Sequence, residues 1–145
     1  MKAFTVVSVN TSPAKGTAKN PIASIRLQSG IGVAGDAHAG PGHRQVSLLA
    51  REDIELMKSR GADVTYGSFA ENITTEGVDL AALPVGTQLI IGDSILEISQ
   101  IGKQCHTGCA IMKQTGDCIM PKRGVFATVV KEGEIRVGDT GTYHI

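Results

Sequence analysis

Short segments in which apolar and polar residues alternate dominate the chain, and alternation with a period of two is typical of strands that bury one face. In residues 1–9, for example, Phe4 and Val6 fall on one face, and Val7 and Val9 fall on the other. Connections rich in Gly, Asp and Glu separate the segments and favour tight turns. The same pattern predicts further strands over residues 24–27, 69–74, 87–91, 94–101, 124–131, 134–137 and 140–145.

One segment has helical periodicity instead. Ala50, Ile54 and Met57 recur at the spacing of one helix face, which predicts a helix over residues 47–60 with Ser47 as its N-cap. Because many short strands accompany a single convincing helix, the sequence predicts a mostly antiparallel β barrel. The length of 145 residues predicts one domain, residues 1–145.

Composition narrows the classes of function. The apolar fraction is 41% and the net charge is zero, which excludes a disordered chain and provides no basic field for nucleic acid. Three Phe and two Tyr are too few for a base-stacking platform. The N-terminus lacks the pattern of a signal peptide and no apolar run is long enough to span a membrane, so we expect a cytoplasmic protein with mostly reduced thiols.

A glycine-rich loop follows the second predicted strand. Residues 30–35 match G-x-G-x-x-G, but the next residues, D-A-H-A-G-P-G-H, cannot open the helix that dinucleotide binding requires. The loop presents Asp36, His38, His43 and Arg44. Two interpretations stay open: a surface loop with tight turns, or a pocket rim where His38 and Arg44 donate hydrogen bonds to an anion.

Glu71 and Asn72 lie side by side in a predicted strand, although both are poor strand formers. Either the amide of Asn72 satisfies loop backbone at a barrel end or bulge, or the pair contributes polar groups to a site. The sequence favours neither interpretation.

All three cysteines of the chain lie in residues 101–125. Cys105, His106, Cys109 and Cys118 could provide four ligands to a metal ion, but their spacing lacks the C-x2-C pairs of zinc sites and does not favour zinc. Alternatively the thiols are inert and buried, which suits Cys109 best and could also apply to Cys118.

A third interpretation is a reactive thiolate at Cys105. This residue directly follows a predicted strand and has Lys103 and His106 as neighbours in the sequence. Nearby cations lower the pKa of a thiol, and the resulting thiolate can carry a persulfide or bind a soft metal such as molybdenum.

Several short motifs in a fixed order strengthen this third interpretation. They are K-G-T-A-K at 15–19, G-D-A-H-A-G at 35–40, R-Q-V-S-L-L at 44–49, F-A-E-N-I at 69–73, V-G at 85–86 and Cys105. Together they resemble the MOSC domain family, which is named for the C-terminal domain of molybdenum-cofactor sulfurases. The resemblance implies a closed β barrel of the pyruvate-kinase-barrel type.

The resemblance also implies a site that binds the molybdenum–pterin cofactor or carries sulfur for delivery to a metal–sulfur centre. It makes Cys105 the sulfur carrier or molybdenum ligand. Cys118, which this chain adds together with Cys109, is an alternative active thiol. The implied cofactor-binding residues are Lys15, His38, Arg44, Glu71, Asn72, Lys103, His106, Lys122 and Arg123, with the lysines and arginines as contacts for the pterin phosphate.

The implied partners are proteins of molybdenum cofactor biosynthesis or insertion (MogA-type), molybdoenzymes and a cysteine desulfurase. Neither nucleic acid nor a membrane is expected as a partner. No pyridoxal phosphate is expected, because nothing in this sequence resembles the separate desulfurase domain of the larger sulfurases. Two alternatives remain: a molybdenum-dependent reductase of N-hydroxylated compounds, and a non-catalytic adaptor for cofactor insertion. Whether the chain is itself an enzyme stays open.

Overall fold

The computed structural model describes residues 1–13, 18–37, 39–42, 44–102 and 123–144. Among these residues lie the α-helix α1 (Arg51–Ser59) and a 3-10 turn (Leu80–Ala82). The strands, in chain order, are β1 (Lys2–Thr11), β2 (Asn20–Ile22), β3 (Ser24–Gln28), β4 (Gly32–Val33), β5 (Val46–Ala50), β6 (Ile73–Glu76), β7 (Gln88–Ile91), β8 (Ser94–Ile101), β9 (Val125–Lys131), β10 (Gly133–Arg136) and β11 (Thr140–Tyr143).

Seven of these strands close into a barrel in the order β11, β7, β8, β9, β5, β6 and β1, with β1 pairing back to β11. Every neighbouring pair is antiparallel except β5 and β6, which are parallel. Strands β10, β3 and β4 form a second, three-stranded sheet, and β2 pairs with the end of β1. The prediction of a mostly β, antiparallel-rich closed barrel with one principal helix is confirmed.

Two apolar clusters hold the fold together. The inward faces of the barrel strands bury aliphatic side chains such as Val6, Leu48 and Leu96 without solvent exposure. Outside the barrel wall, Ile54 and Met57 of α1 join a second cluster, as their helical spacing predicts. Full burial of one such side chain stabilises a fold by about 1.5–3 kcal/mol.

The facing of β1 differs from the prediction in one respect. Val6 and Val9 were predicted on opposite faces, yet both are fully buried in the inner cluster. The pairing of β1 with β6 shifts register between Val6 and Ser8, so one extra residue is inserted there. Such a bulge reverses the facing of the residues that follow it.

The helix also begins later than the predicted range of 47–60, because residues 46–50 are strand β5. This strand is buried along its whole length and pairs with β6 on one side and β9 on the other. Residues buried on both faces form continuous apolar runs that periodicity alone cannot distinguish from a helix. Ala50 rather than Ser47 is the N-cap, and it makes no side-chain capping hydrogen bond.

The strand predicted over residues 69–74 is likewise shorter at its start. A turn at residues 66–69 and the irregular residues after it lead into β6, and Ala70 has φ +62°, a left-handed backbone conformation that residues other than Gly rarely adopt. Glu71 and Asn72 therefore lie directly before the barrel strand and not inside it.

Candidate functional site

Buried polar side chains gather at one end of the barrel, where β1 ends and where β5 and β6 begin. The backbone joins the three strands there, since the Asn10 N–H donates to the Asn72 carbonyl at 2.8 Å and the Asn72 N–H donates to the Ser47 carbonyl at 2.9 Å. We refer to the buried polar residues of this region as the polar junction: Asn10, Ser12, Lys19, Asp36, Ser47, Glu71, Asn72 and Thr74.

The side chain of Asn72 links the three strands of the junction. Its Oδ1 accepts a hydrogen bond from the Ser47 N–H at 3.0 Å, and its Nδ2 donates to the Asn10 carbonyl at 3.3 Å. The Asn10 amide in turn donates to the Glu71 carbonyl at 3.1 Å. The amide of Asn72 thus satisfies backbone groups at a barrel end, as one of the two interpretations of this residue anticipated.

Lys19 and Asp36 form a buried ion pair in the junction. The Nζ of Lys19 lies 2.8 and 2.9 Å from the two carboxylate oxygens of Asp36, and neither side chain is exposed to solvent. The Ser12 N–H also donates to Asp36 Oδ1 at 3.0 Å. Burial by itself would raise the pKa of Asp36, but hydrogen bonds from Lys19, Ser12 and Asn72 and the charge of Lys19 outweigh it and lower this pKa.

Sequence reasoning singled out Asp36 but not Lys19. Lys19 belongs to the K-G-T-A-K motif at 15–19, in which only Lys15 was chosen as a candidate contact. An aspartate that is buried needs a cation close by, and this requirement is the signal that could have suggested Lys19. The pairing of Lys19 with Asp36 depends on the tertiary fold, which brings these two residues together.

Glu71 is the other acidic residue of the junction, and it has no solvent exposure. Its Oε2 accepts hydrogen bonds from the Gly67 N–H at 3.0 Å and from Thr74 Oγ1 at 2.8 Å. Its Oε1 is buried and has no hydrogen-bond partner among the described residues. Burial raises the pKa of Glu71, and the hydrogen bonds offset only part of this effect.

The turn that Glu71 closes is packed tightly against Lys19. The Lys19 N–H donates to the Gly67 carbonyl at 2.8 Å. Gly67 has φ +87°, and a Cβ at this position would lie 2.1 Å from the Lys19 carbonyl oxygen. A glycine is therefore required here by backbone conformation and by space.

Arg44 precedes β5 at the same end of the barrel as the junction. Its side chain is exposed, and its guanidinium carbon lies 5.8 Å from the centroid of the Phe126 ring, within the range of a cation–π contact. No carboxylate of the described residues pairs with it. The guanidinium of Arg44 is therefore held in place and is accessible to an anion.

Arg123, the second arginine of the predicted site, is already engaged. Its Nε donates to Asp53 Oδ1 at 3.0 Å and its Nη2 donates to Asp79 Oδ1 at 2.6 Å. These carboxylates raise the pKa of Arg123, whereas burial raises the pKa of Asp53 despite the opposing effect of the arginine. Two of the three guanidinium nitrogens are therefore occupied by carboxylates.

Strand β5 separates the backbones of the two arginines. Leu48 pairs with Val125, so Arg123 lies near the carboxyl end of β5, whereas Arg44 precedes its amino end. At about 3.3 Å per residue, the six steps from Arg44 to Ala50, the position level with Arg123, span roughly 20 Å. The structure therefore brings Arg44, Glu71 and Asn72 to one end of β5 and positions the backbone of Arg123 at the other.

Seven predicted site residues lie outside the described residues, and their roles stay predictions: Lys15, His38, Lys103, Cys105, His106, Cys118 and Lys122. The ends of the cysteine segment are joined, since the Gly102 N–H donates to the Gly124 carbonyl at 2.6 Å. Among the residues that the structure describes, no group of three or more His, Cys, Asp or Glu could hold a metal ion.

The MOSC domain model matches residues 34–142, which include Asp36, Arg44, Glu71 and Asn72. The chain belongs to the MOSC domain family. This family is generally associated with the molybdenum cofactor. The resemblance seen in the motifs is thereby confirmed. A search of curated proteins finds no match.

Solved structures share the fold of this MOSC domain at low sequence identity. The YuaD protein from Bacillus subtilis is 16% identical, with a TM-score of 0.81 over 97% of this chain and 94% of that chain. YiiM from Escherichia coli is 16% identical, with a TM-score of 0.73 over 100% of this chain and 71% of that chain. YiiM from Geobacillus stearothermophilus is 19% identical, with a TM-score of 0.73 over 98% of this chain and 75% of that chain.

In the described part of this MOSC domain, no helix has both the length and the apolar character needed to cross a membrane.

Proposed function

We propose that this MOSC domain binds the molybdenum–pterin cofactor, carries sulfur for it, or does both, with Cys105 as the reactive thiol. The association of the family with this cofactor supports the class of ligand. The observation that carries the proposal is the convergence of motif residues at one barrel end. Asp36 and the adjacent pair Glu71–Asn72, which lie more than 30 residues apart in the sequence, share one buried network there, and Arg44 lies beside it.

The proposal gives Arg44 the role of a phosphate contact. A guanidinium offers a planar set of donors that suits a phosphate, and the ring of Phe126 limits the freedom of this side chain. Arg123, at the other end of β5, stays in the proposed set as a separate anion contact, and of its two carboxylate partners Asp79 is the more exposed. Lys15, His38, Lys103, His106 and Lys122 complete the proposed set of cofactor contacts.

The proposed chemistry of Cys105 requires its thiolate. In sulfur transfer, the thiolate attacks the outer sulfur of a donor persulfide, a new S–S bond forms at Cys105, and the donor leaves as a thiolate. When the cofactor is bound, its molybdenum would accept the same thiolate as a soft ligand. Cysteine desulfurases are the proposed sulfur donors, and MogA-type insertion proteins and molybdoenzymes are the proposed recipients.

A cysteine series tests the proposal. We expect Cys105→Ser to lose at least tenfold in retained molybdenum and pterin, or in persulfide labelling, when the protein is produced in a host that makes the cofactor. Cys109→Ser is the matched control, since Cys109 is predicted to be structural, and it should keep the wild-type values. Cys118→Ser tests the alternative active thiol. Retention of cofactor and persulfide by Cys105→Ser would exclude Cys105 as the reactive centre.

A further inference from the structure

The carboxyl group of Glu71 lies in a site that suits its neutral form. It is fully buried, its Oε2 accepts from Gly67 and Thr74, and its Oε1 has no partner of hydrogen-bond geometry among the described residues. The backbone N–H groups of Phe69 and Glu71 also favour the charged form, but burial outweighs them. A carboxylate at this position would leave a charged oxygen buried without a donor, and a buried charge in that state strongly destabilises a fold. A protonated carboxyl carries no such charge.

The turn that this carboxyl closes is under conformational strain. Ala70 lies directly before Glu71 and has φ +62°, a conformation that persists only where surrounding contacts impose it. Among the described contacts that hold the turn are the two hydrogen bonds to Glu71 Oε2 and the bond from Lys19 N–H to the Gly67 carbonyl. A carboxylate here gains full solvation by water only if the turn opens, and opening breaks the first two bonds and lets the backbone relax.

The same turn supports the buried ion pair of the junction. Gly67 packs against the backbone of Lys19, and the side chain of Lys19 binds both oxygens of Asp36. Asp36 in turn accepts from the Ser12 N–H, while the Ala37 N–H donates to the Ser12 carbonyl at 2.9 Å. A displacement of the turn therefore reaches the start of the glycine-rich loop through an unbroken series of contacts.

We infer that Glu71 is a proton-dependent latch, which joins the turn at residues 67–71 to β6 and to the Lys19–Asp36 pair and which opens when the carboxyl loses its proton. The inference uses described residues alone and does not depend on cofactor binding. The proton passes to solvent when the turn opens, and reprotonation closes it again.

The described groups around Glu71 do not add a second titration in the same pH range. Strands β1, β5 and β6 contribute the uncharged side chains of Asn10, Ser47 and Thr74 to the junction. Among the described residues, the charged side chains of the junction besides Glu71 are those of Lys19 and Asp36, which pair with each other. The pKa of Asp36 is lowered, so this pair does not titrate in the range where Glu71 would release its proton.

The direction of the pH effect follows from the pKa of Glu71, which burial raises above its ordinary value of 4.5. Between 4.5 and the raised value, the closed turn binds more protons than the open turn. Opening is therefore favoured as the pH rises, by up to about tenfold per pH unit in this interval.

Carboxyl titration and amide hydrogen exchange of the complete chain test the latch. We expect the Glu71 carboxyl carbon to titrate above 4.5 by NMR. We also expect protection factors of the Gly67 and Lys19 amides, corrected for intrinsic exchange, to fall as the pH rises. Glu71→Gln keeps an oxygen for Gly67 and Thr74 and should abolish the pH dependence. Glu76→Gln is the matched control, since Glu76 ends the same strand at the surface, and it should keep the wild-type slope.

Either of two results would overturn the inference. One is a Glu71 carboxyl that titrates at or below 4.5, which wild-type protein alone reveals even if the glutamine variant does not fold. The other is a pH-dependent loss of protection that persists unchanged in Glu71→Gln. The retention of cofactor by the cysteine series is a separate readout, so failure here and failure of the proposed function can be distinguished.

Discussion

Among single residues, the Lys19–Asp36 pair is where we expect one of the largest effects of a substitution. Asp36→Ala removes the carboxylate that balances a buried ammonium group. Breaking a buried pair from one side typically costs about 3–5 kcal/mol. We predict a loss of this size in the free energy of unfolding, measured by urea denaturation.

Two further variants calibrate this prediction. Glu55→Ala removes an exposed carboxylate that pairs with Lys58 on the surface of α1, and it should change the stability by less than about 1 kcal/mol. The double variant Lys19→Met with Asp36→Leu should lose less than Asp36→Ala, since no unbalanced charge remains. Equal losses in Asp36→Ala and Glu55→Ala would contradict the structural role of the buried pair.

The candidate site shows which residues sequence reasoning can find. Glu71 and Asn72 stand out in the sequence because both are poor strand formers next to apolar residues. Lys19 gave no comparable signal, because its burial depends on a partner 17 residues away that only the tertiary fold brings close. For Arg123, the sequence indicated a cation near the cysteines but not the two carboxylates that occupy it.

At the scale of elements, the barrel depends on the seam between β1 and β11. Gly141 faces the ring of Phe4 across this seam, and a Cβ at Gly141 would lie 2.1 Å from a ring carbon. Overpacking of this kind typically costs about 1–3 kcal/mol. We predict that Gly141→Ala lowers the free energy of unfolding by at least this amount, as measured by urea denaturation.

Gly40→Ala is the matched control for this prediction. A Cβ at Gly40 meets no atom within 4 Å, and the substitution should leave the stability within about 0.5 kcal/mol of the wild type. If Gly141→Ala were as stable as Gly40→Ala, the closure of the barrel through β1 and β11 would need another explanation.

The accuracy of the predicted elements also has a physical basis. Strand β8 spans residues 94–101, as predicted, because its alternating pattern and the preceding Gly92–Asp93 turn agree. Strand β5 was predicted as the start of the helix, because a strand buried between two neighbours has no alternation to reveal it. Local pattern therefore predicts hairpins well and misses strands whose burial comes from distant partners.

At the scale of the whole molecule, two acidic residues of one buried region respond to pH in opposite ways. Asp36 has a lowered pKa, so its stabilising contribution is present above its ordinary value of 3.8 and is lost as the pH falls through its folded pKa. Glu71 has a raised pKa, so its contribution declines as the pH rises from 4.5 toward its folded pKa. The junction is therefore most stable at an acidic pH, near the ordinary values of 3.8 for Asp36 and 4.5 for Glu71.

The whole fold also explains how one small barrel could serve a cofactor. Strand ends and loops at one end of β5 bring motif residues together, and the hydrogen bond between Gly102 and Gly124 joins the two ends of the segment that contains the proposed thiol Cys105. A rigid barrel with its chemistry on connecting segments is a common arrangement for binding sites.

Native mass spectrometry of the wild-type protein, purified from a host that makes molybdenum cofactor, tests the central claim most directly. The account predicts a bound species with the mass of the molybdenum–pterin cofactor, or an added sulfur atom that maps to Cys105. A spectrum that contains only the unmodified chain, from a host whose other molybdoenzymes are loaded, would contradict it.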